Sequence, residues 1–259
     1  MNATDGPDGL FGPQAVVRRV DAEAALLLGG GRALLMQLAH PLVARGVAEH
    51  SDFSADPFKR LQRTLDATYT MVFGTRAQAE AAASRVNAVH DRVTGPGYHA
   101  RDPELLLWVH ATLVDTALRT HGRFLGPLSD AEAEQYYQES TVLAELLGVP
   151  RSAQPSDLTA FRAYVRGMVG SLEVGQEARR LAQEVLHPPV PIVVAPLASL
   201  TRQLTVGLLP RPLRAGYGFT WDAGREAALT AATLAARALF PLVPGRLRRM
   251  PAFALGAAD

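Results

Sequence analysis

Asp102-Pro103-Glu104-Leu105-Leu106-Leu107-Trp108-Val109-His110-Ala111-Thr112-Leu113-Val114-Asp115-Thr116-Ala117 decides how this chain folds. Asp followed by Pro is a helix start. The carboxylate can accept an orphan N–H of the first turn, and proline at the first helical position gives up only a donor that has no partner there. Leu106, His110, Leu113, Val114 and Ala117 then recur at helical spacing, which predicts a helix to about Phe124 with these residues on one face.

The same punctuation recurs on either side. Asp56-Pro57 opens a predicted helix to about Phe73, where Gly74 ends it. Thr75 caps the next, Arg76 to Val93, whose Ala79, Ala82, Ala83, Val86, Val89, His90 and Val93 share a side and turn His90 inward. Pro41 starts a shorter helix to about Glu49, with Arg32 to His40 helical before it. Gln14 to Leu28 is helical by spacing and stops at Gly29-Gly30-Gly31. With no strand before that run and no Gly-Lys-Ser/Thr in it, it reads as a helix break or close-packing point, not a phosphate loop.

Downstream, Ser129-Asp130 with Glu132 opens a helix to Leu147, Ser156-Asp157 another to about Glu173, and Gln176 to Leu186 a shorter one. Trp221 to Phe240 is a last Ala-rich helix. Leu186 to Leu209 carries Pro188, Pro189, Pro191 and Pro196 among Ile192, Val193, Val194, Leu197 and Leu200. Proline and Arg202 break it too often for a single bilayer-spanning helix. It reads as an irregular core-packing segment, with a substrate-channel wall or a lipid-facing surface as alternatives.

Composition agrees with helix throughout: 48% of the 259 residues are apolar and few β-branched runs interrupt them. The expected fold is all-α, a single globular domain over residues 13–245 between a disordered tail at 1–12 and a basic tail at 246–259. Lys+Arg 26 against Asp+Glu 25 gives no reason to expect a nucleic-acid partner. The absence of cysteine excludes disulfides, zinc-thiolate and iron-sulfur sites, thiolate-ligated haem and covalently attached c-type haem. Met1 to Gly12 lacks the basic-then-apolar design of a signal peptide, so the expected location is cytoplasmic, with peripheral membrane contact left open. The sequence does not specify an oligomeric state.

Five of the seven histidines fall between Ala39 and His110, together with Arg60, Arg63 and Thr64. A helical histidine faced by Arg and Thr from the preceding helix can hold a haem iron on one side and handle a bound oxygen species on the other. Burying imidazoles and guanidiniums together is costly unless a partner satisfies both, as iron and propionates would. Carboxylate-histidine metal sites are the competing reading: Glu49, His50 and Asp52 cluster, and His110 precedes Asp115. Neither has the spacing of a two-His, one-carboxylate triad or of paired Glu-x-x-His. His99, His121 and His187 read as solvated.

The chain also resembles the haem-dependent family of the mycophenolic-acid-pathway oxygenase mpaB and the rubber oxygenase, or latex-clearing protein, from about Val20 to Leu242. The resemblance rests on Gln37-Leu38-Ala39-His40-Pro41, on Glu49-His50-Ser51-Asp52-Phe53, and on Asp56-Pro57-Phe58-Lys59-Arg60-Leu61-Gln62-Arg63-Thr64. Asp102 to His110 and Leu208-Leu209-Pro210 extend it. It implies a b-type haem in a globin-like helical core, O2 as co-substrate and an unsaturated, isoprenoid-like lipophile cleaved oxidatively at a C=C bond. By that resemblance His90 is the proximal ligand, with His110 as alternate, and Arg60, Arg63 and Thr64 are distal. Arg63 stands where the family's motif has lysine, and guanidinium does not readily ligate iron. Glu49 or Asp52 would be the base, and His40 and His110 would line the pocket or meet propionates. A haem or lipophile carrier without turnover, and a haem-free helical protein at a membrane surface, are the alternatives.

Overall fold

The computed structural model describes residues 9–50, 57–188 and 195–249, with side chains left out at 57–62, 195–197 and 246–247. Its helices, in chain order, are α1 (Val16–Asp21), α2 (Gly30–Leu38), α3 (Pro41–His50), α4 (Pro57–Phe73), α5 (Arg76–His90) and α6 (Pro103–Phe124). There follow α7 (Asp130–Leu146), α8 (Leu158–Ser171), α9 (Gln176–Leu186), α10 (Ala195–Leu208), α11 (Arg211–Gly216), α12 (Ala223–Leu239) and α13 (Gly245–Arg248). The fold is all-α; apart from the isolated bridges Gly9–Thr75 and Glu23–Arg249, strand pairing among the described residues is a hairpin of two-residue strands, β1 (Thr94–Gly95) and β2 (Tyr98–His99), antiparallel within the loop before α6.

Local capping chemistry sets the helix starts. The Asp102 side chain accepts from Glu104 N–H with proline in the first turn of α6. Thr75 with Gln78 and Ser129 with Glu132 form complete capping boxes at α5 and α7, and Asp157 caps α8. Cap losses of this kind cost about 1 kcal/mol each, so the sequence specifies these boundaries strongly.

α6 is the central element, packed by α2, α7, α8 and α12 and by a 3₁₀ turn over Ala24–Gly29. It is therefore buried on most sides, not along one stripe, and encloses Trp108, Ala111 and Val114 together with the polar Thr112, Asp115, Thr116 and Thr120. Leu113, expected on the buried face, points outward at 37% exposure. On α5 the alanines 79, 82 and 83 are buried as expected, but Val89 is 59% exposed because it lies about 100° round the axis from His90.

The glycine run is a close-packing point and not a helix break. The break falls earlier, at Ala22-Glu23, where Glu23 is extended, and the 3₁₀ turn feeds directly into α2. A Cβ on Gly29 would overlap Thr116 and Thr120 of α6, and one on Gly31 would overlap Thr205 of α10, whereas Gly30 meets nothing. Leu10 and Phe11, assigned by sequence to a disordered tail, are buried in the core, and Gly9 pairs with Thr75. Residues 1–8 and 250–259 lie outside the described residues. From Ala195 the proline-rich stretch is regular helix, not irregular packing; Pro196 sits in the first turn of α10, where proline is at home. Residues 189–194 lie outside the described residues.

Among the described residues no single helix is long and apolar enough to cross a membrane. Ala24–Leu38 with Pro41–His50 reaches that length and composition only jointly, and the two are bent by 104° at their join.

Candidate functional site

The start of α6 meets two half-buried imidazoles. His40, at the join of α2 and α3, has its Nδ1 buried without a hydrogen-bond partner. Burial lowers its pKa against the pull of the Asp102 and Glu104 carboxylates. His90, the last residue of α5, likewise keeps a buried, unpartnered Nδ1. Burial first and the Arg101 guanidinium second push its pKa down, opposed by Asp91, a balance that favours the uncharged ring. One turn back on α5, Asn87 donates Nδ2 to the Leu146 carbonyl at 3.0 Å and leaves its Oδ1 buried and unpartnered.

Three more orphaned atoms lie along α6, one of them the Thr120 Oγ1 near its C-terminal end. Trp108 is fully buried with its Nε1–H unused. His110, enclosed between α6 and α7, meets the Ser140 backbone but leaves Nε2 without a partner; burial pushes its pKa down to about 4. Each unsatisfied buried polar group costs about 1–3 kcal/mol. Six of them along α5, α6 and the α2–α3 join are a concentration that asks for an explanation in function.

The expected distal residues sit on the helix that packs against α5. Arg63 and Thr64 are exposed on the N-terminal half of α4, whose inner face further along carries Tyr69, Met71 and Val72. Thr68 Oγ1 donates to the Thr64 carbonyl at 2.9 Å. The Arg60 side chain and Asp52 lie outside the described residues.

Glu49 is held as a clamp. Tyr98 donates its hydroxyl to Glu49 at 2.6 Å and Arg45 Nε donates at 2.8 Å. The Tyr98 hydroxyl and then Arg45 hold the carboxyl below the ordinary glutamate range, which weakens it as a base. His50 Nε2 lies 2.9 Å from the Thr94 carbonyl, so the end of α3 is fastened to the hairpin. Asp115 is engaged by Arg32 and Arg119. Among the described residues no three His, Asp or Glu side chains converge as a metal site. His99 accepts from Arg101 N–H at 3.0 Å and His187 Nδ1 lies 3.1 Å from the Gln183 carbonyl. His121, expected in solvent, is half-buried with Nδ1 2.9 Å from the Gly126 carbonyl, because the chain folds back over it after α6.

Sequence reasoning missed two buried polar pairs. Arg32 of α2 is fully buried, donating to Asp115 and Thr116 of α6 and, at 2.9 Å, to the Leu208 carbonyl of α10. Asp21 of α1 accepts from the Tyr136 hydroxyl of α7 at 2.9 Å. The available signal was a cation set in the apolar run Gly31-Arg32-Ala33-Leu34-Leu35 and an Asp on an apolar helix.

Residues 17–238, from α1 into α12, match the family described as ER-bound oxygenase mpaB/B'/Rubber oxygenase, catalytic domain. The chain belongs to this family. An uncharacterized protein of Mycobacterium bovis and one of Mycobacterium tuberculosis are each 30% identical to it over 207 residues, covering 74% of this chain and 80% of the relative. No solved structure matches. The family match places the orphaned polar groups of α5 and α6 inside an oxygenase-type catalytic domain, with α4, α5 and α6 all in the matched span.

Proposed function

We propose that the chain is a haem b-dependent oxygenase acting on a small lipophilic, unsaturated substrate with O2 as co-substrate. The observation that carries this reading is His90: a half-buried imidazole at the end of α5 with a ring nitrogen that the protein itself leaves unpartnered, its burial favouring the uncharged ring. A neutral imidazole is the form that ligates iron. Haem, when bound, supplies a redox-active iron for O2 chemistry.

The remaining roles belong to the chain's own side chains. His90 would offer the ligand, with the unpartnered Asn87 Oδ1 one turn away on α5, and His40 at the α2–α3 join would line the pocket or meet a propionate. Arg63, with Arg60, would supply fixed positive charge to carboxylates or to oxygen carrying developing negative charge. Thr64 would add a hydroxyl donor there. Glu49, tied to Tyr98 and Arg45, serves this reading better as a brace for the end of α3 than as a base. The family's description names a rubber oxygenase, and oxidative cleavage of a carbon-carbon double bond is the reaction that the sequence resemblance implies.

Oxygen uptake by haem-loaded protein with squalene as an unsaturated probe, read together with carbonyl products, tests the reading. Squalene-dependent uptake with cleavage products is the expected result. Stable haem binding without substrate loss would replace the oxygenase with a carrier.

A further inference from the structure

The geometry points to a second, separate binding site for a long-chain carboxylate, formed where α9, α10 and the start of α12 meet. A cavity of about 220 Å³ is lined there by Gln183, Arg202, Gln203, Phe219 and Arg225. Beside it a groove of about 400 Å³ runs between α10 and α12, walled by Leu204, Trp221, Ala228 and Leu229, with Leu200 half-exposed at its edge. Gln203 and Arg225 line both, so the two form one amphipathic space with a polar end and an apolar arm.

The polar end is aimed. Arg202 Nε donates to the Leu186 carbonyl at 3.1 Å, and Arg225 Nη1 donates to the Thr220 carbonyl at 2.7 Å. Each guanidinium is thus fixed by a carbonyl, while Arg202 keeps both Nη groups, and Arg225 its Nη2, uncommitted among the described residues. Asp222, which lines the groove where it meets Arg225, lies 3.7 Å from Arg225 Nε and offsets one of the two positive charges. One net positive charge with two neutral amides, Gln183 and Gln203, suits a single carboxylate better than a dianionic phosphate. The arm is apolar with a buried floor, Leu204 and Leu229, and matches an alkyl or alkenyl chain and not a polar peptide. Trp221 is held on its wall by donating Nε1 to Glu226 at 2.7 Å.

The test uses the full chain and does not depend on haem. Oleate is titrated by calorimetry below its critical micelle concentration, with methyl oleate as the uncharged control and 9,10-dibromostearate as a quencher of Trp221 fluorescence. Saturable one-to-one binding of oleate, weaker for methyl oleate, is expected. Arg225→Gln, at an exposed position, should weaken it by roughly tenfold, the worth of a charge-assisted hydrogen bond, with Arg202→Gln at least as damaging. Quenching by dibromostearate should disappear in Trp221→Phe, although Trp108 remains. Absence of saturable oleate binding, or binding that is equal for the ester and indifferent to Arg225→Gln, would overturn the proposal. His90→Ala should bind oleate as the wild type does, so a failure of the haem reading leaves this result independent.

Discussion

Arg32 and Asp115 form an ion pair enclosed between α2 and α6, with the arginine side chain at 0% exposure and the aspartate side chain at 9%. Arg32 also reaches Thr116 and the Leu208 carbonyl, so one guanidinium ties three helices together. Breaking such a pair on one side leaves the other charge buried and uncompensated, at about 3–5 kcal/mol. Asp115→Asn should lose stability of that order in urea unfolding. Arg32→Met with Asp115→Leu should lose less than the sum of the single changes, because it leaves no stranded charge. Additive losses would show that the pair is not coupled.

The glycine run gives an internally controlled test. Gly31→Ala drives a Cβ into the buried Thr205, and overpacking of this kind costs about 1–3 kcal/mol. Gly30→Ala meets nothing and keeps a right-handed helical backbone, φ −55° and ψ −45°, so it should be neutral or stabilising by up to about 1 kcal/mol. Thermal midpoints moving in the same direction for both variants would contradict the packing described here.

Two buried groups set opposing pH dependences. Desolvation raises the Asp21 carboxyl to about 7 against the opposing Tyr136 hydrogen bond. Its folded pKa exceeds its unfolded one. No penalty therefore exists below about 4; stability is lost as pH rises to 7, with a full cost on the order of 4 kcal/mol. His110 is depressed to about 4, so its contribution is complete above 6.5 and is lost as pH falls toward 4, on the order of 3 kcal/mol. Between pH 4 and 6.5 the two slopes offset each other. Asp21→Asn, which keeps an acceptor for Tyr136, should unmask stability that rises with pH across that window, and His110→Gln stability that falls. Urea midpoints at several pH values check both signs.

Arg63 is exposed on α4 and lies apart from the packed core, so Arg63→Gln should leave the helical circular dichroism and haem content nearly unchanged. It should lower oxygen-dependent turnover by about tenfold or more if its charge acts on the reacting oxygen. Equal losses of haem and turnover would make it a propionate anchor.

Helix starts were readable because their chemistry is local: Asp102, Thr75, Ser129 and Asp157 each cap within three residues. The glycine run announced close approach for the same reason, although which helices approach depends on Thr116, Thr120 and Thr205 far along the chain. The Arg32–Asp115 and Asp21–Tyr136 pairs span 83 and 115 residues, and no periodicity signals such partners. Prolines before α10 disguised a helix whose first turn one of them occupies. At the site, helical spacing turned His90 inward, and the ring is half-buried at the end of α5; its orphaned Nδ1 and the neighbourhood of Arg101 arise only from tertiary packing. The exposure of Arg63 and Thr64 and the clamp on Glu49 were equally beyond reach of pattern alone.

The central claim, that His90 holds haem, is tested most directly by the absorption spectrum of protein expressed with added 5-aminolevulinate. Wild type is expected to carry a Soret band at near-stoichiometric haem, and His90→Ala to lose most of it with helical circular dichroism intact. A wild type without a Soret band would contradict the account, as would a folded His90→Ala variant that keeps its full haem content.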